Sequence, residues 1–267
     1  MTENRYSFEN FIMQCCKAHE YELRSFIKKT LLRAGFTIKE DNYYSSHRNG
    51  KYKNIPNLLA MRGKPSVCLV AHTDTCREHN IEDTVRAEPD IKKIDTYDGI
   101  KEVITDKNNM VQVGGDDRLG VAINLWIALN TGYDMGLLFT TDEEVGVISA
   151  GELEMPEIKE FELLVQVDRG NHSNQLVSKI GGVKLCSEKL VEELLKISRQ
   201  IDLPRREVEG FLTDVYAIKK NKMCKNAVNM TCGYHGSYGA SADEYIDIQE
   251  ARDTMKFVAN IVKYFYI

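Results

Sequence analysis

An α/β fold with a mostly parallel or mixed central sheet, covered by helices on both faces, is the fold class that this sequence predicts. Short apolar runs that suit buried strands alternate with longer amphipathic segments along most of the chain. Such alternation is typical of parallel strands joined by crossover helices. The 267 residues contain no internal repeat, low-complexity tract or Pro/Gly-rich linker, so we expect one domain spanning 1–267.

The first part of the chain predicts helices followed by a hairpin and a buried strand. Apolar residues recur at near-helical spacing over residues 7–34, which indicates one or two amphipathic helices ended by Gly35. FTIKEDNYY and NLLAMRG predict two strands joined by the polar segment SSHRNGKYKN, and SVCLVAH predicts the buried strand. Residues 73–115 are polar, so we expect an irregular excursion with short strands at KEVIT and MVQV.

The remainder of the chain continues the alternation of helices and strands. Helices are predicted at RLGVAINLWIALNTG, near VISAGELEM, at SEKLVEELLKISRQ and at IQEARDTMKFVANIVKYF. Strands are predicted at GLLFTT, FELLVQVD, QLVSKIG and NAVNMTCGY. Parallel strands in this order would place their carboxyl ends along one edge of the sheet.

Composition excludes several classes of protein. A formal net charge of -5 offers no basic footprint for nucleic acid. The chain has no apolar run near the ~20 residues that cross a membrane, and its start has no secretory pattern, so we expect a cytoplasmic protein. The seven cysteines form no CxxC pair, which favours reduced thiols over disulfides or a cysteine zinc site.

Side chains of the types that ligate metals follow four predicted strands or their continuations. The segments are AHTD, VGGDDRLG, FTTDEEVG and VQVDRG. Their candidate residues are His72 and Asp74, Asp116 and Asp117, Asp142, Glu143 and Glu144, and Asp168. Such a cluster repels itself unless a cation neutralises it, and carboxylates with imidazole suit zinc, manganese or cobalt.

The spacing of these residues suggests separate tasks. His72 and Asp74 are two apart, so on a continuing strand both project from one face, and Asp74 could fix the imidazole tautomer while His72 binds metal. Glu143 and Glu144 are adjacent, so one could ligate metal while the other acts as a base. Simpler interpretations are a helix-capping role for Asp116 or Asp117 and helix N-terminal acids at 143–144.

AHTDT, GGDDRLG, FTTDEEVG, VQVDRG and GYHG, in that order, resemble the signature segments of the co-catalytic di-zinc exopeptidases. This family includes peptidase T, glutamate carboxypeptidases, and related aminopeptidases and deacylases. The similarity runs from about residue 57 to the carboxyl terminus. It implies the zinc-exopeptidase (phosphorylase/hydrolase-like) fold and two Zn²⁺ per chain, with Mn²⁺ or Co²⁺ as substitutes.

The resemblance also implies a role for each matched position. His72 and Asp168 would bind one zinc, and Asp116 would bridge both ions. Glu144 and His235 would bind the second zinc. Glu143 would be the general base and Asp74 would orient His72.

The chain departs from the family pattern in two places. GYHG is separated from ADEYIDI by an insertion, so His172 in RGNHSN is an alternative to His235, as Asp214 is to Asp168. Only 66 residues separate Asp168 from His235, which leaves no room for a full lid or dimerisation domain. Groups that close over the substrate would come from loops or from another subunit of a homo-oligomer.

We therefore expect a zinc-dependent exopeptidase that hydrolyses short peptides by metal-activated water, with an aminopeptidase favoured. A carboxypeptidase or an N-acyl amino acid deacylase would use the same residues on a different amide. A non-catalytic metal-binding homologue is the alternative from another class. The expected partner is a short peptide or an N-acylated amino acid, with neither nucleic acid nor membrane.

Overall fold

The computed structural model describes residues 7–48, 54–76, 78, 86–237 and 242–266, and it confirms the predicted α/β class. The helices are α1 Phe8–Lys17, α2 Glu20–Arg33, α3 Gly115–Asn130, α4 Ile148–Gly151, the 3₁₀ helix Pro156–Glu160, α5 Glu188–Gln200, α6 Asp214–Lys220 and α7 Ile248–Tyr266. The strands are β1 Thr37–Glu40, β2 Leu58–Arg62, β3 Val67–His72, β4 Pro89–Thr96, β5 Gly99–Asp106, β6 Met135–Thr140, β7 Leu163–Arg169, β8 Gln175–Ile180, β9 Val183–Lys184, β10 Arg206–Gly210, β11 Ala227–Thr231, β12 Tyr234–His235 and β13 Tyr245–Asp247.

A large mixed sheet runs in the order β1-β2-β6-β3-β7-β11-β8-β10, with β9 paired to β8. Its centre is parallel, because β3 pairs in parallel with both β6 and β7, and β7 with β11. The predicted β1–β2 hairpin is an antiparallel edge of this sheet. The mixed sheet that the sequence predicted is therefore confirmed, with its parallel strands in the middle.

Strand β3 shows how the two faces of the large sheet are buried. Val67, Leu69 and Ala71 pack into the larger apolar cluster, which includes residues of α1, α2, α3, α5 and α7. Cys68 and Val70 alternate with them and pack into the second cluster, which includes residues of α4 and α6. Helices thus cover both faces, and the strand reads as a continuous apolar run for this reason.

A smaller antiparallel sheet has the order β12-β13-β5-β4. The expected irregular excursion over residues 73–115 is in part wrong, because the long hairpin β4–β5 lies within it. KEVIT lies in β5 as predicted, whereas MVQV forms no strand. Val111 and Val113 are instead buried as loop residues, so their apolar character reflects packing without strand pairing.

In the part of the chain that the structure describes, no helix combines the length and apolarity needed to traverse a lipid bilayer.

Candidate metal centre

The carboxyl ends of three parallel strands place the candidate residues at one edge of the large sheet. His72 is the last residue of β3, Asp168 lies near the end of β7, and Glu143 follows β6 by three residues. Because β6 and β7 both pair with β3, these positions are neighbours despite their distance in sequence.

His72, Asp116 and Asp168 form a group of three potential ligands. The Nε2 atom of His72 lies 3.0 Å from Asp116 Oδ1 and 3.6 Å from Asp168 Oδ1. One ligand atom from each residue lies within 4.8 Å of the others. An imidazole with two carboxylates is a donor set that suits zinc, manganese or cobalt.

The electrostatics of this group fit a bound cation. Burial raises the pKa of Asp168 to about 6, and repulsion from Asp116 adds to that effect. Burial alone would lower the pKa of His72, but hydrogen bonds to Asp116, Asp168 and Asp74 raise it well above its ordinary value. The raised pKa of Asp168 beside the raised pKa of His72 indicates excess negative charge, which a divalent ion would neutralise.

Asp74 joins the imidazole to the turn that carries the two glutamates. The Nδ1 atom of His72 lies 3.1 Å from the backbone carbonyl oxygen of Asp74 and 3.3 Å from its carboxylate Oδ1. The two carboxylate oxygens of Asp74 also accept hydrogen bonds from the backbone N–H groups of Glu143 and Glu144, at 3.3 and 3.2 Å. Asp74 is fully buried, so it is well placed to orient His72.

The adjacent acids of GGDD have different surroundings. Asp116 faces the imidazole, with its side chain 28% exposed. Asp117 is fully buried, and its carboxylate accepts hydrogen bonds from the backbone N–H groups of Gly120 and His72. The peptide bond between them is cis. The capping role considered for this pair therefore belongs to Asp117, which leaves Asp116 available as a ligand.

Glu244 holds the turn that presents Asp116. This buried carboxylate accepts hydrogen bonds from the backbone N–H groups of Gly114 and Gly115, at 2.6 and 2.9 Å, and from Gln112 Nε2 at 3.1 Å. Gly114 has a φ of 91°, a conformation that glycine adopts readily. Sequence reasoning missed this role of Glu244, although the residue lies in the noted segment ADEYIDI.

The paired glutamates point in different directions, as their adjacency suggested. Glu143 Oε2 lies 4.0 Å from His72 Nε2, and its side chain lines a cavity beside Asp116 and Asp168. Glu144 instead accepts hydrogen bonds from the backbone N–H and the thiol of Cys76, at 2.9 and 2.8 Å. Among the described residues, the three-donor group does not include Glu144.

Burial raises the pKa values of both glutamates. The pKa of Glu143 lies well above its ordinary value, since burial is reinforced by repulsion from Asp168, Asp214 and Asp116. The pKa of Glu144 is raised to about 8, by burial and then by Asp116. A carboxyl group with a raised pKa can accept and return a proton near neutral pH.

His235 is not brought to the three-donor group of the described structure. Its Nε2 atom lies 3.1 Å from Glu250 Oε2, and its ring stacks on Tyr245. The preceding residue, Tyr234, instead donates a hydrogen bond from its hydroxyl to Asp116 Oδ2 at 2.9 Å. Both residues line a small cavity together with Asp116, and the hydrogen bond to the Asp116 carboxylate comes from Tyr234.

The two rival residues lie close to the group without joining it. His172 lines the same cavity as Glu143, and its pKa is lowered by burial and then by Arg169, Arg206 and His235. Asp214 is buried, and its Oδ2 atom accepts hydrogen bonds from Thr140 and Gln166. Asp168, and not Asp214, is therefore the acid that lies beside His72.

A buried arginine neutralises the acids behind the site, and sequence reasoning missed it. Arg48 lies in the segment predicted as the polar hairpin tip, of which residues 49–53 lie outside the described structure. Arg48 is 6% exposed and forms ion pairs with Glu20, Asp74 and Asp142. A single arginine among polar letters gives no sequence signal for such burial, because its partners come from three distant segments.

No protein-family model and no curated protein sequence matches the chain. Solved structures do match it in fold. An aminopeptidase PepT from Bacillus cereus superposes with a TM-score of 0.75 at 14% identity, over 96% of this chain and 97% of that one. A tripeptidase from Staphylococcus aureus superposes with a TM-score of 0.72 at 13% identity, over 97% and 98%.

The same fold also occurs in an enzyme with a different reaction. A glutaminyl cyclase from Porphyromonas gingivalis superposes with a TM-score of 0.61 at 14% identity, over 97% of this chain and 96% of that one. A shared fold therefore does not decide the chemistry, which has to be argued from the residues of the site. The comparisons establish that this chain has the fold of known aminopeptidases.

Proposed function

We propose that this protein is a metal-dependent exopeptidase of the di-zinc type that acts on short peptides, with an aminopeptidase favoured. The observation that carries the proposal is the position of Glu143, whose carboxylate lies 4.0 Å from the imidazole of the three-donor group His72, Asp116 and Asp168. A base beside metal ligands, around one cavity, is an arrangement that suits metal-assisted hydrolysis of an amide.

The three donors would hold one divalent ion, with Zn²⁺ as the expected metal. When bound, the ion supplies a Lewis acid that acidifies water and polarises the scissile carbonyl. Asp74 keeps the imidazole of His72 in one orientation and tautomer. A second ion, with Glu144 and His235 as ligands and Asp116 as the bridge, would require both side chains to leave their present partners.

Glu143 performs the proton transfers in this proposal. Its carboxylate removes a proton from the attacking water in the cavity and then delivers that proton to the leaving amine. Burial, the largest cause of the raised pKa of Glu143, suits both steps, because it helps the group to hold a proton between them. The catalytic machinery is proposed to lie in one domain without a full lid, in a cytoplasmic enzyme.

A Glu143→Gln variant tests this function. Metal content, measured by mass spectrometry, should match that of the wild type, while hydrolysis of a peptide library by the Zn²⁺-loaded protein should fall by about 100-fold or more. The exposed Glu154→Gln is the matched control and should retain activity. Unchanged hydrolysis in Glu143→Gln contradicts the mechanism.

The same library shows which end of the peptide is trimmed. Loss of amino-terminal residues supports an aminopeptidase, and loss of carboxyl-terminal residues supports a carboxypeptidase. Cleavage of N-acyl amino acids alone would support a deacylase. Metal binding without any hydrolysis would support the non-catalytic alternative.

A further inference from the structure

The cavity that adjoins the metal centre also contains basic and apolar side chains. It has a volume of about 180 Å³. Besides Asp116, Glu143 and Asp168, its lining includes Arg169, His172 and Phe211. Arg169, His172 and Phe211 have no role in the proposed hydrolysis.

Arg169 is fixed in position by its neighbours. It directly follows Asp168, at the end of β7. Its Nε atom donates a hydrogen bond to Gln175 Oε1 at 2.6 Å, and its guanidinium carbon lies 5.9 Å from the centre of the Phe211 ring. A planar guanidinium held in this way is suited to bind a carboxylate.

The charge of the cavity changes when a cation occupies the three-donor group. The bound ion offsets the charges of Asp116 and Asp168, which otherwise dominate this region. Arg169 then remains as a permanent positive charge in the lining, with His172 nearby. Metal loading therefore removes most of the repulsion that the cavity would exert on an anionic group of the substrate, since Glu143 is then the remaining acid beside Arg169.

We propose that Arg169 is a specificity residue that binds a substrate carboxylate close to the scissile bond, so that the enzyme selects di- and tripeptides with such a group. A sphere with the volume of the cavity is roughly 7 Å across, a distance that two extended residues span. The carboxylate is either the terminal α-carboxylate or an acidic side chain. This inference rests on the proposed peptidase function.

The test compares matched substrates with the Zn²⁺-loaded protein. Ala-Ala and Ala-Ala-Ala are paired with their carboxyl-terminal amides, and Ala-Glu-amide is paired with Ala-Gln-amide. In one of the two kinds of pair, we expect kcat/KM to be about 10- to 100-fold higher for the peptide with the carboxylate than for its neutral counterpart. Most of the difference should come from a lower KM. The pair type that responds identifies the source of the carboxylate.

Variants of Arg169 assign the preference to this side chain. Arg169→Gln should abolish the preference, and Arg169→Lys, which retains the charge without the planar fork, should retain part of it. Arg206→Gln is the matched control, because Arg206 is exposed and lies near His172 but is not among the residues lining the cavity. It should leave the preference within about twofold of the wild type.

A binding measurement separates this inference from the proposed function. Calorimetry with Zn²⁺-loaded Glu143→Gln should show about tenfold or greater weakening for the charged peptides when Arg169→Gln is added, and little change for the amides. The inference is overturned, even if hydrolysis occurs, by equal kcat/KM and equal affinity for charged and neutral peptides. It is also overturned if Arg169→Gln keeps the preference of the wild type. Absence of hydrolysis by wild type, with charge-selective binding intact, contradicts only the peptidase function.

Discussion

The carboxylate of Asp74 accepts a hydrogen bond from the backbone N–H of Glu143 at 3.3 Å, while it faces the imidazole of His72. One buried side chain therefore sets both the orientation of a proposed metal ligand and the position of the proposed base. A change at Asp74 should disturb metal binding and proton transfer together.

Asp74→Asn should weaken metal affinity by about tenfold, because an amide accepts the imidazole N–H less strongly than a carboxylate, while the backbone carbonyl of residue 74 remains as a second acceptor. A competition titration against a chelating dye measures the affinity. Asp98→Asn, at an exposed aspartate, is the control and should bind metal normally. Wild-type affinity in Asp74→Asn would argue against the orienting role.

Glu244→Gln should lower kcat while the protein remains folded. The carboxylate accepts hydrogen bonds from the backbone N–H groups of Gly114, Gly115 and Asp116 and from an amide, and a glutamine can replace only some of them. The turn that presents Asp116 should then lose its fixed geometry. Steady-state kinetics and the metal titration measure this effect; Glu154→Gln, at an exposed glutamate, should leave both unaltered.

Arg48→Met should destabilise the protein by about 3–5 kcal/mol, because it leaves the buried carboxylates of Glu20 and Asp142 without their cation. The free energy of unfolding is measured by urea titration. Arg86→Met provides the contrast, since the pair of Arg86 with Glu22 is about half exposed and should contribute less than about 1 kcal/mol. Similar losses in both variants would contradict the structural role of Arg48.

Asp214 should make the stability of the chelator-treated protein fall as the pH rises. Burial raises its pKa in the folded protein to about 7, against about 3.9 in the unfolded chain, so the folded state binds the proton more tightly. The resulting stability is fully present below about pH 4 and is lost as the pH rises through about 7.

Asp214→Asn should remove this loss, which is at most about 4 kcal/mol. Thermal unfolding between pH 4 and 8 measures it, with Asp98→Asn as the exposed control. An identical pH dependence in wild type and Asp214→Asn would show that another group titrates. Metal content should remain normal in Asp214→Asn, because Asp214 lies behind Asp168 and outside the three-donor group.

Sequence patterns predicted the part of the site that depends on sheet geometry. His72 and Asp168 follow apolar runs that form parallel strands, and parallel strands bring their ends together whatever the intervening chain does. The fold class and most of the element positions follow from the same periodicity. Asp116 could be placed because two glycines mark the turn before a helix.

The contacts that sequence reasoning missed depend on non-local pairing. Tyr234 is hydrogen-bonded to Asp116 and His235 to Glu250, an arrangement that depends on the pairing of β12 with β13. The letters GYHG contain no information about that pairing. Arg48 and Glu244 were missed for a related reason, since each is defined by partners from distant segments.

The small sheet makes the assembly of the site depend on the completed fold. The proposed ligands His72 and Asp168 lie on strands of the large sheet. The groups that contact Asp116 lie on the small sheet, since Tyr234 belongs to β12 and Glu244 directly precedes β13. A folding intermediate with only the large sheet formed would lack the groups that hold Asp116. Recovery of the proposed activity after dilution from denaturant should therefore lag behind recovery of the helical signal.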